Sequence, residues 1–306
     1  MRFSSTLLGL ASLGYVLAHP VIDGREVISH SMNLPRDRSQ NPSPCGVDAS
    51  PEFVAVMQDM AAAEANGTLP STPAAAFRAQ AAAVVTVPVY FHVVAINTTP
   101  AGGYLTQAQL TAQLAYMNNA FSSTGYQFTQ AGADYTVNTN WANDRAELTM
   151  KRALRKGGYN AVNIYFQYFL ADDNLGYCYY PSAAGKVNGS TAFFTDGCTV
   201  LASSVAGGTL ANYNLGGTAA HEVGHWFGLA HTFEGSACSA TNDGVADTPA
   251  QNGYTSGCPA SRDSCPNSPG LDPIHNYMDY SYDVCYTEFT PGQTVRLTNM
   301  FNTYRA

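Results

Sequence analysis

The sequence predicts an α/β fold built on a twisted, mostly parallel β-sheet. Three observations lead there. A β-rich run begins at Val84, a helical repeat follows at Thr106, and strand and helix signals keep alternating as far as Phe166. Strands separated by helices are the pattern of parallel sheets joined by crossovers. Residues 84–94 are β-branched and aromatic with partial alternation, which reads as the first strand. Over 106–121, Leu110, Leu114 and Met117 recur at helical spacing, and Thr106 can cap the first turn. Residues 126–137 read as a second strand, and 147–155 as a polar helix stopped by Gly157-Gly158. Residues 161–166 form a third strand, with shorter β segments expected at 176–180 and 200–204. Between Cys238 and Cys285 the chain is rich in Gly, Pro, Asn, Asp and Ser, so regular structure there is sparse. A helix over 290–304, with Pro291 in its first turn, closes the sequence.

The 306 residues are 45% hydrophobic and 12% charged. That charged share is about half the usual one. With many Tyr, Asn, Ser, Thr and Gly, it suggests an extracellular surface kept soluble by hydroxyls and amides. The net charge of −8 is spread without acidic blocks and no basic patch is visible. Nucleic acid is therefore set aside as a partner. No interface signal stands out, and a monomer is expected.

Residues 1–18 read as a signal peptide. Arg2 supplies the positive start, 7–17 the apolar stretch, and Val16-Leu17-Ala18 the compact residues before a cut after Ala18. The stretch is too short to span a bilayer comfortably, so no membrane anchor is expected. Residues 19–80 differ in texture from the rest of the chain. They carry Pro at 20, 35, 42, 44, 51, 70 and 73 and an Ala-rich stretch over 74–83. This segment reads as a propeptide, with a short helix over 52–63 and a loose linker over 68–73, leaving 81–306 as the main domain. A secreted chain favours disulfides. Six of the seven Cys lie between Cys178 and Cys285, and Cys45 stands alone far upstream. Three downstream bridges and one remaining thiol are the simplest account.

The most informative segment is 221–231, His-Glu-Val-Gly-His-Trp-Phe-Gly-Leu-Ala-His. On a helix, residues i and i+4 share a face, so His221 and His225 aim two imidazoles at one point. Gly228 suits a sharp αL stop that returns His231 as a third ligand. Three histidines leave one position open on a zinc ion, as catalysis requires. Glu222 lies about 100° around the helix from His221, where it can act as general base toward a water on that ion. A fourth cue is Met278 in Asn276-Tyr277-Met278-Asp279-Tyr280, the Met-turn expected downstream of such a zinc motif. Tyr280 is a candidate to swing its hydroxyl toward the metal and stabilise an oxyanion.

With these motifs in hand, the chain resembles the pappalysin (cytophagalysin) family of metzincin zinc metalloproteases, in particular their fungal secreted extracellular members. The matching stretches are 221–235, 243–249 (Asp-Gly-Val-Ala-Asp-Thr-Pro), 276–281 and 150–157. The resemblance implies a metzincin catalytic domain. In it, a twisted mostly parallel sheet, a backing helix and the active-site helix lie above an irregular, disulfide-stapled lower lobe, with zinc at the bottom of the cleft. It implies a secreted endopeptidase that cleaves extracellular proteins or peptides. It also implies bridges Cys238–Cys265 and Cys258–Cys285, leaving Cys178 for Cys198, although four Cys allow three pairings on sequence grounds. The stretch around Tyr177 and Tyr179 resembles an edge strand that pairs with extended substrate. Cys45-Gly46 resembles a proregion Cys-Gly whose thiol would occupy the open zinc position and keep a zymogen latent. Some relatives bind calcium in the lower lobe. Asp243 and Asp247 sit in a loop that suits Ca²⁺ or ordinary Asx turns equally.

Asn66, Asn97 and Asn188 open Asn-x-Ser/Thr sequons and are candidate glycan sites. Val284, just past Met278, is apolar where a substrate pocket wall is expected, while Asp283 leaves a basic side chain open as a preference. His275 is a possible cleft residue, and His92 belongs to a strand. A zinc-stabilised binding protein is the main rival reading, and Glu222 argues against it, because a structural site needs no base beside its ligands.

Overall fold

Five strands make one sheet: β1 (Val85–Ala95), β2 (Tyr126–Val137), β3 (Val162–Gln167), β4 (Gly176–Cys178) and β5 (Cys198–Leu201), side by side in the order β2-β1-β3-β5-β4. This computed structural model describes residues 45–47, 49–79, 84–238 and 242–306. The expected signal peptide lies outside the described residues. β2, β1, β3 and β5 run parallel, and only β4 pairs antiparallel, at one edge. β3 is buried along its whole length, as an inner parallel strand must be, whereas β2 at the other edge alternates between covered and open positions. The β segment expected over 200–204 is shifted. β5 ends at Leu201, where the Ser204 hydroxyl donates to the Leu201 carbonyl and turns the chain out of the sheet. β4 likewise stops at Cys178, so residues 179 and 180 lie outside the ladder.

Helices cover both faces. They are α1 (Pro51–Ala65), α2 (Pro73–Ala79), α3 (Gln107–Ala120), α4 (Thr139–Ala142), α5 (Glu147–Leu154), α6 (Thr191–Thr195), α7 (Gly217–Trp226) and α8 (Pro291–Tyr304). Thr106 and Gln109 form a reciprocal capping box at the start of α3, and Thr290 and Gln293 do the same for α8. On the front face, Val89, Phe91 and Val93 of β1 and Ile164 and Phe166 of β3 pack with Leu110 and Met117 of α3 and Val223 and Trp226 of α7. On the back, Val94 and Tyr165 meet Ala142 of α4 and Met150 of α5. Burying each such side chain contributes about 1.5–3 kcal/mol. His92 belongs to the back face. It is wholly buried between Asp134 and the Asn163 amide oxygen, at 2.8 and 2.9 Å.

Below α7 the chain is irregular and stapled. Cys238–Cys265 and Cys258–Cys285 each close a loop of 27 residues, and Cys178–Cys198 ties β4 to β5. Restricting the unfolded chain in this way contributes about 3.5 kcal/mol per 27-residue loop.

α1 and α2 belong to the same compact unit as the sheet. Phe53, Met57 and Met60 of α1 pack on Ala230 and Met300. The Phe53 ring stacks on Tyr180 at 3.7 Å, and Arg296 of α8 donates two bonds to Glu64, at 3.0 and 2.9 Å. The expected linker over 68–73 leads directly into α2, which packs on α8.

α7 ends where its sequence requires. Gly228 takes φ 93°, its N–H donates to His225 O at 2.8 Å, and Leu229 N–H donates to Gly224 O at 3.0 Å. This Schellman closure reverses the chain toward His231. A Cβ at Gly228 would also meet Met300 Cε at 2.6 Å. Gly228→Ala is therefore expected to cost about 2–4 kcal/mol, read as a lower denaturation midpoint, because αL strain and overpacking act together.

Candidate metal centre

The i, i+4 spacing on α7 and the Gly228 reversal bring three imidazoles to one point. His225 Nε2 lies 3.1 Å from His221 Nε2 and 3.1 Å from His231 Nε2. The outer nitrogens are tied down: His221 Nδ1 donates to Tyr277 O at 2.6 Å, and His225 Nδ1 donates to Leu229 O at 2.8 Å. A carbonyl only accepts, so these bonds put the proton on Nδ1 and leave a lone pair on each Nε2. Glu234 Oε2 lies 3.5 Å from His231 Nδ1. Burial and the neighbouring rings push His221 down to about 3 and His225 in the same direction, so both stay neutral.

Cys45 completes the cluster. Its Sγ lies 3.4 Å from His225 Nε2, and the four candidate ligand atoms all lie within 4.8 Å of one another. Lone pairs facing each other at 3.1 Å repel unless a cation lies among them. Tetrahedral zinc with bonds of 2.0–2.1 Å spaces its nitrogens by roughly 3.3–3.4 Å, close to what is seen. Three imidazoles and a thiol are the donor set of zinc rather than of a hard cation. The residues fit the metal.

Glu222 sits beside the cluster, wholly buried. Cys45 Sγ donates to its Oε2 at 3.5 Å, while Oε1 has no hydrogen-bond partner among the described residues. Burial pushes this carboxyl well above the usual range. Gly176 of β4 presses on it from above: a Cβ there would lie 2.7 Å from Glu222 Cγ and Oε1. Gly176→Ala must displace the carboxylate. Since misplacement by about 1 Å can cost 10²-fold, kcat is expected to fall by about that factor with zinc content unchanged. Steady-state kinetics together with metal analysis checks this.

The floor is built from the segment around Met278. Met278 Sδ packs so tightly on Gly224 that a Cβ there would overlap it, Met278 N–H donates to Asn276 Oδ1, and Asn276 exchanges two amide bonds with Gln293. α8 thus holds the turn, and the turn holds His221 through Tyr277 O. Tyr280 packs its ring 5.0 Å from that of His231 and donates its hydroxyl to Cys45 O at 3.0 Å. Gly46 N–H donates to Gly176 O at 2.9 Å. The Cys45-Gly46 segment therefore lies between the histidine cluster and the edge strand.

Other expected site residues fall elsewhere. Asp283, open in the sequence as a partner for a basic substrate group, is buried and turned to the N-terminus of α7. There its Oδ2 accepts from Leu215, Gly216 and Gly217 N–H at 2.8, 3.1 and 3.2 Å. Burial raises it to about 6 against those three bonds. Val284 is 70% exposed, and His275 is exposed with Nδ1 donating to Cys285 O. Asp243 Oδ1 accepts from Val245 N–H in an Asx turn, and Asp247 accepts from Thr290 Oγ1 and Gly292 N–H at the start of α8. Neither belongs to a cluster of three or more metal ligands among the described residues. Asn66, Asn97 and Asn188 are all exposed. Sequence reasoning missed Gly176, Tyr180, whose ring lies 5.3 Å from that of His225, and the place of Asp283 at the start of α7. A glycine inside a strand signal, which marks close approach of a neighbour, was the available cue for the first.

The profile of the peptidase M43 family described as pregnancy-associated plasma protein-A matches residues 153–302. An extracellular metalloprotease of Sordaria macrospora is 52% identical over 266 residues, which is 87% of this chain and 90% of that protein. One of Uncinocarpus reesii is 48% identical over 306 residues, covering 100% and 99%. Among solved structures, mature mirolysin of Tannerella forsythia in complex with a cleaved peptide is 28% identical with a TM-score of 0.60, covering 72% of this chain and 93% of that one. A promirolysin mutant is 25% identical with a TM-score of 0.61, covering 85% and 94%.

Proposed function

The chain belongs to the pappalysin (peptidase M43) family of zinc metalloendopeptidases, and from that premise we propose that it is secreted as a zymogen, held latent by Cys45, that hydrolyses extracellular proteins with Glu222 as general base. The observation that carries this reading is the convergence of the Nε2 atoms of His221, His225 and His231 and the Cys45 thiol, beside a buried carboxylate one of whose oxygens has no hydrogen-bond partner among the described residues. His221, His225 and His231 would hold the zinc, and Cys45 would take the fourth position in the latent form. When bound, zinc supplies Lewis acidity and brings the ionisation of a water from about 15.7 to about 7.

The chain's own residues do the rest. Glu222 takes the water's proton on its carboxylate and delivers it to the leaving amine, as one base acting twice. Tyr280 donates its hydroxyl to the carbonyl that occupies the cleft. In the latent form that carbonyl belongs to Cys45, and in catalysis it belongs to the scissile peptide, where the same bond strengthens as the oxygen gains charge. Gly176 O, which now accepts from Gly46 N–H, would accept from a substrate amide and align the peptide as an added strand. Met278 supports His221 and Gly224 from below. Removal of the segment 19–80 would free the fourth position and the strand edge together. Relatives named extracellular support secretion, and no helix among the described residues is long and apolar enough to cross a membrane. Exposed Asn66, Asn97 and Asn188 would be open to glycan attachment.

Mass spectrometry of peptides released from casein by the processed protein, with and without 1,10-phenanthroline, tests the reading. Cleavage that the chelator removes is expected. A zinc-loaded, processed sample that releases nothing would instead point to a metal-stabilised binding protein.

A further inference from the structure

The helix expected to be polar, α5, carries a charge the mechanism does not use. Lys151 is wholly buried. Its Nζ lies 2.9 Å from Glu147 Oε1 and donates to Thr195 O at 2.8 Å. Three aromatic rings enclose it: Tyr179, Tyr177 and Tyr165, with centroids at 4.6, 5.5 and 5.3 Å. An ammonium without water is tolerated only when paired and surrounded by negative potential, and carboxylate, carbonyl and ring faces together provide that. Two of the rings are further anchored by their hydroxyls, Tyr177 to Asp144 at 3.1 Å and Tyr179 to Glu147 at 2.9 Å.

Tyr177 precedes Cys178 in the edge strand, and Tyr179 follows it just past the strand's end. Successive strand side chains point to opposite faces, and here the alternation separates two tasks. Gly176 and Cys178 face α7, where Gly176 abuts Glu222 and Cys178 joins the front core. Tyr177 and Tyr179 face the back, toward Lys151. β4 has only three residues and, among the described residues, one ladder neighbour, β5, so its ladder alone fixes its depth poorly. The Cys178–Cys198 bridge fastens it from the front, and the Lys151 cage is its fastening from behind.

We propose that Lys151 is a positioning residue for substrate: by gathering Tyr177 and Tyr179 around one buried cation, it holds β4 at the depth from which Gly176 O pairs with an extended peptide in the cleft. This rests on the peptidase reading above. The test uses the full chain matured by its own processing and loaded with zinc, with wild type, Lys151→Met and Lys151→Arg compared on one extended peptide. Lys151→Met is expected to raise KM about tenfold and lower kcat less than about threefold, and Lys151→Arg, which keeps the cation among the rings, to bring KM back within about threefold of wild type. Unchanged KM in Lys151→Met, or a rise that Lys151→Arg does not reverse, overturns the proposal. Should Lys151→Met not yield folded protein, Tyr179→Leu removes the nearest ring and must raise KM in the same way; an unchanged KM there overturns it too. A wild type without chelator-sensitive cleavage would sink the peptidase reading itself, a result separable from either of these.

Discussion

Glu222→Gln is expected to lower kcat by about 10²–10⁴-fold, the span general acid–base groups supply, while zinc stays bound at wild-type stoichiometry. The amide fits the space between Gly176 and Cys45 but takes no proton. None of the three histidine Nε2 atoms depends on Glu222, since their Nδ1 contacts run to Tyr277 O, Leu229 O and the side of Glu234, so the metal has no reason to leave. The substitution also removes a buried carboxylate whose ionisation the site opposes, so thermal stability should not fall. Kinetics on the processed variant beside elemental analysis reads both quantities. Activity within about threefold of wild type would remove Glu222 from the role of base.

Cys45→Ser is expected to raise the activity of the intact, unprocessed chain by about 10–100-fold over the unprocessed wild type, which is a few kcal/mol of lost zinc–sulfur bonding. A serine hydroxyl is a poor substitute for a thiolate at zinc. The gain is bounded because other contacts persist: Tyr280 still reaches the residue-45 carbonyl, Gly46 still pairs with Gly176, and α1 stays anchored by Phe53 on Tyr180 and Glu64 on Arg296. The assay needs gel verification that the chain is intact at the time of measurement. An unprocessed Cys45→Ser protein as silent as wild type would mean that the cleft is blocked by the backbone and α1 alone, with the thiol incidental.

Much of the metal centre was legible because its geometry is local. Two histidines four apart must share a helix face, and Gly228 signals the reversal that brings His231 back. Both follow from backbone geometry within eleven residues. The Thr106 cap of α3 and the Pro291 start of α8 are equally local. The short strands were less legible. β5 lies at 198–201 rather than 200–204, because its limits depend on where β3 and β4 pair with it and on the Ser204 hydroxyl that bends the chain out. Asp283 was read with its sequence neighbours, as an open partner for a basic substrate side chain. Its actual partners are three N–H groups some 66–68 residues away, and no local pattern encodes that pairing. Lys151 was read as part of a polar helix for the same reason: apart from Glu147 one turn back, its partners come from α6, β3 and the edge-strand segment.

The sequence by itself determined the α/β class, the helix that carries His221 and His225 with Glu222 beside them, and the odd cysteine upstream, since residue type and short-range spacing suffice for each. Only the tertiary structure decided that Cys45 reaches the metal centre from 176 residues before His221, that Tyr280 is engaged by the Cys45 carbonyl, that Gly176 bears on Glu222, and that a buried lysine backs the edge strand. Those contacts join segments far apart in the chain, and long-range packing of the whole core, rather than any local preference, sets which of them meet.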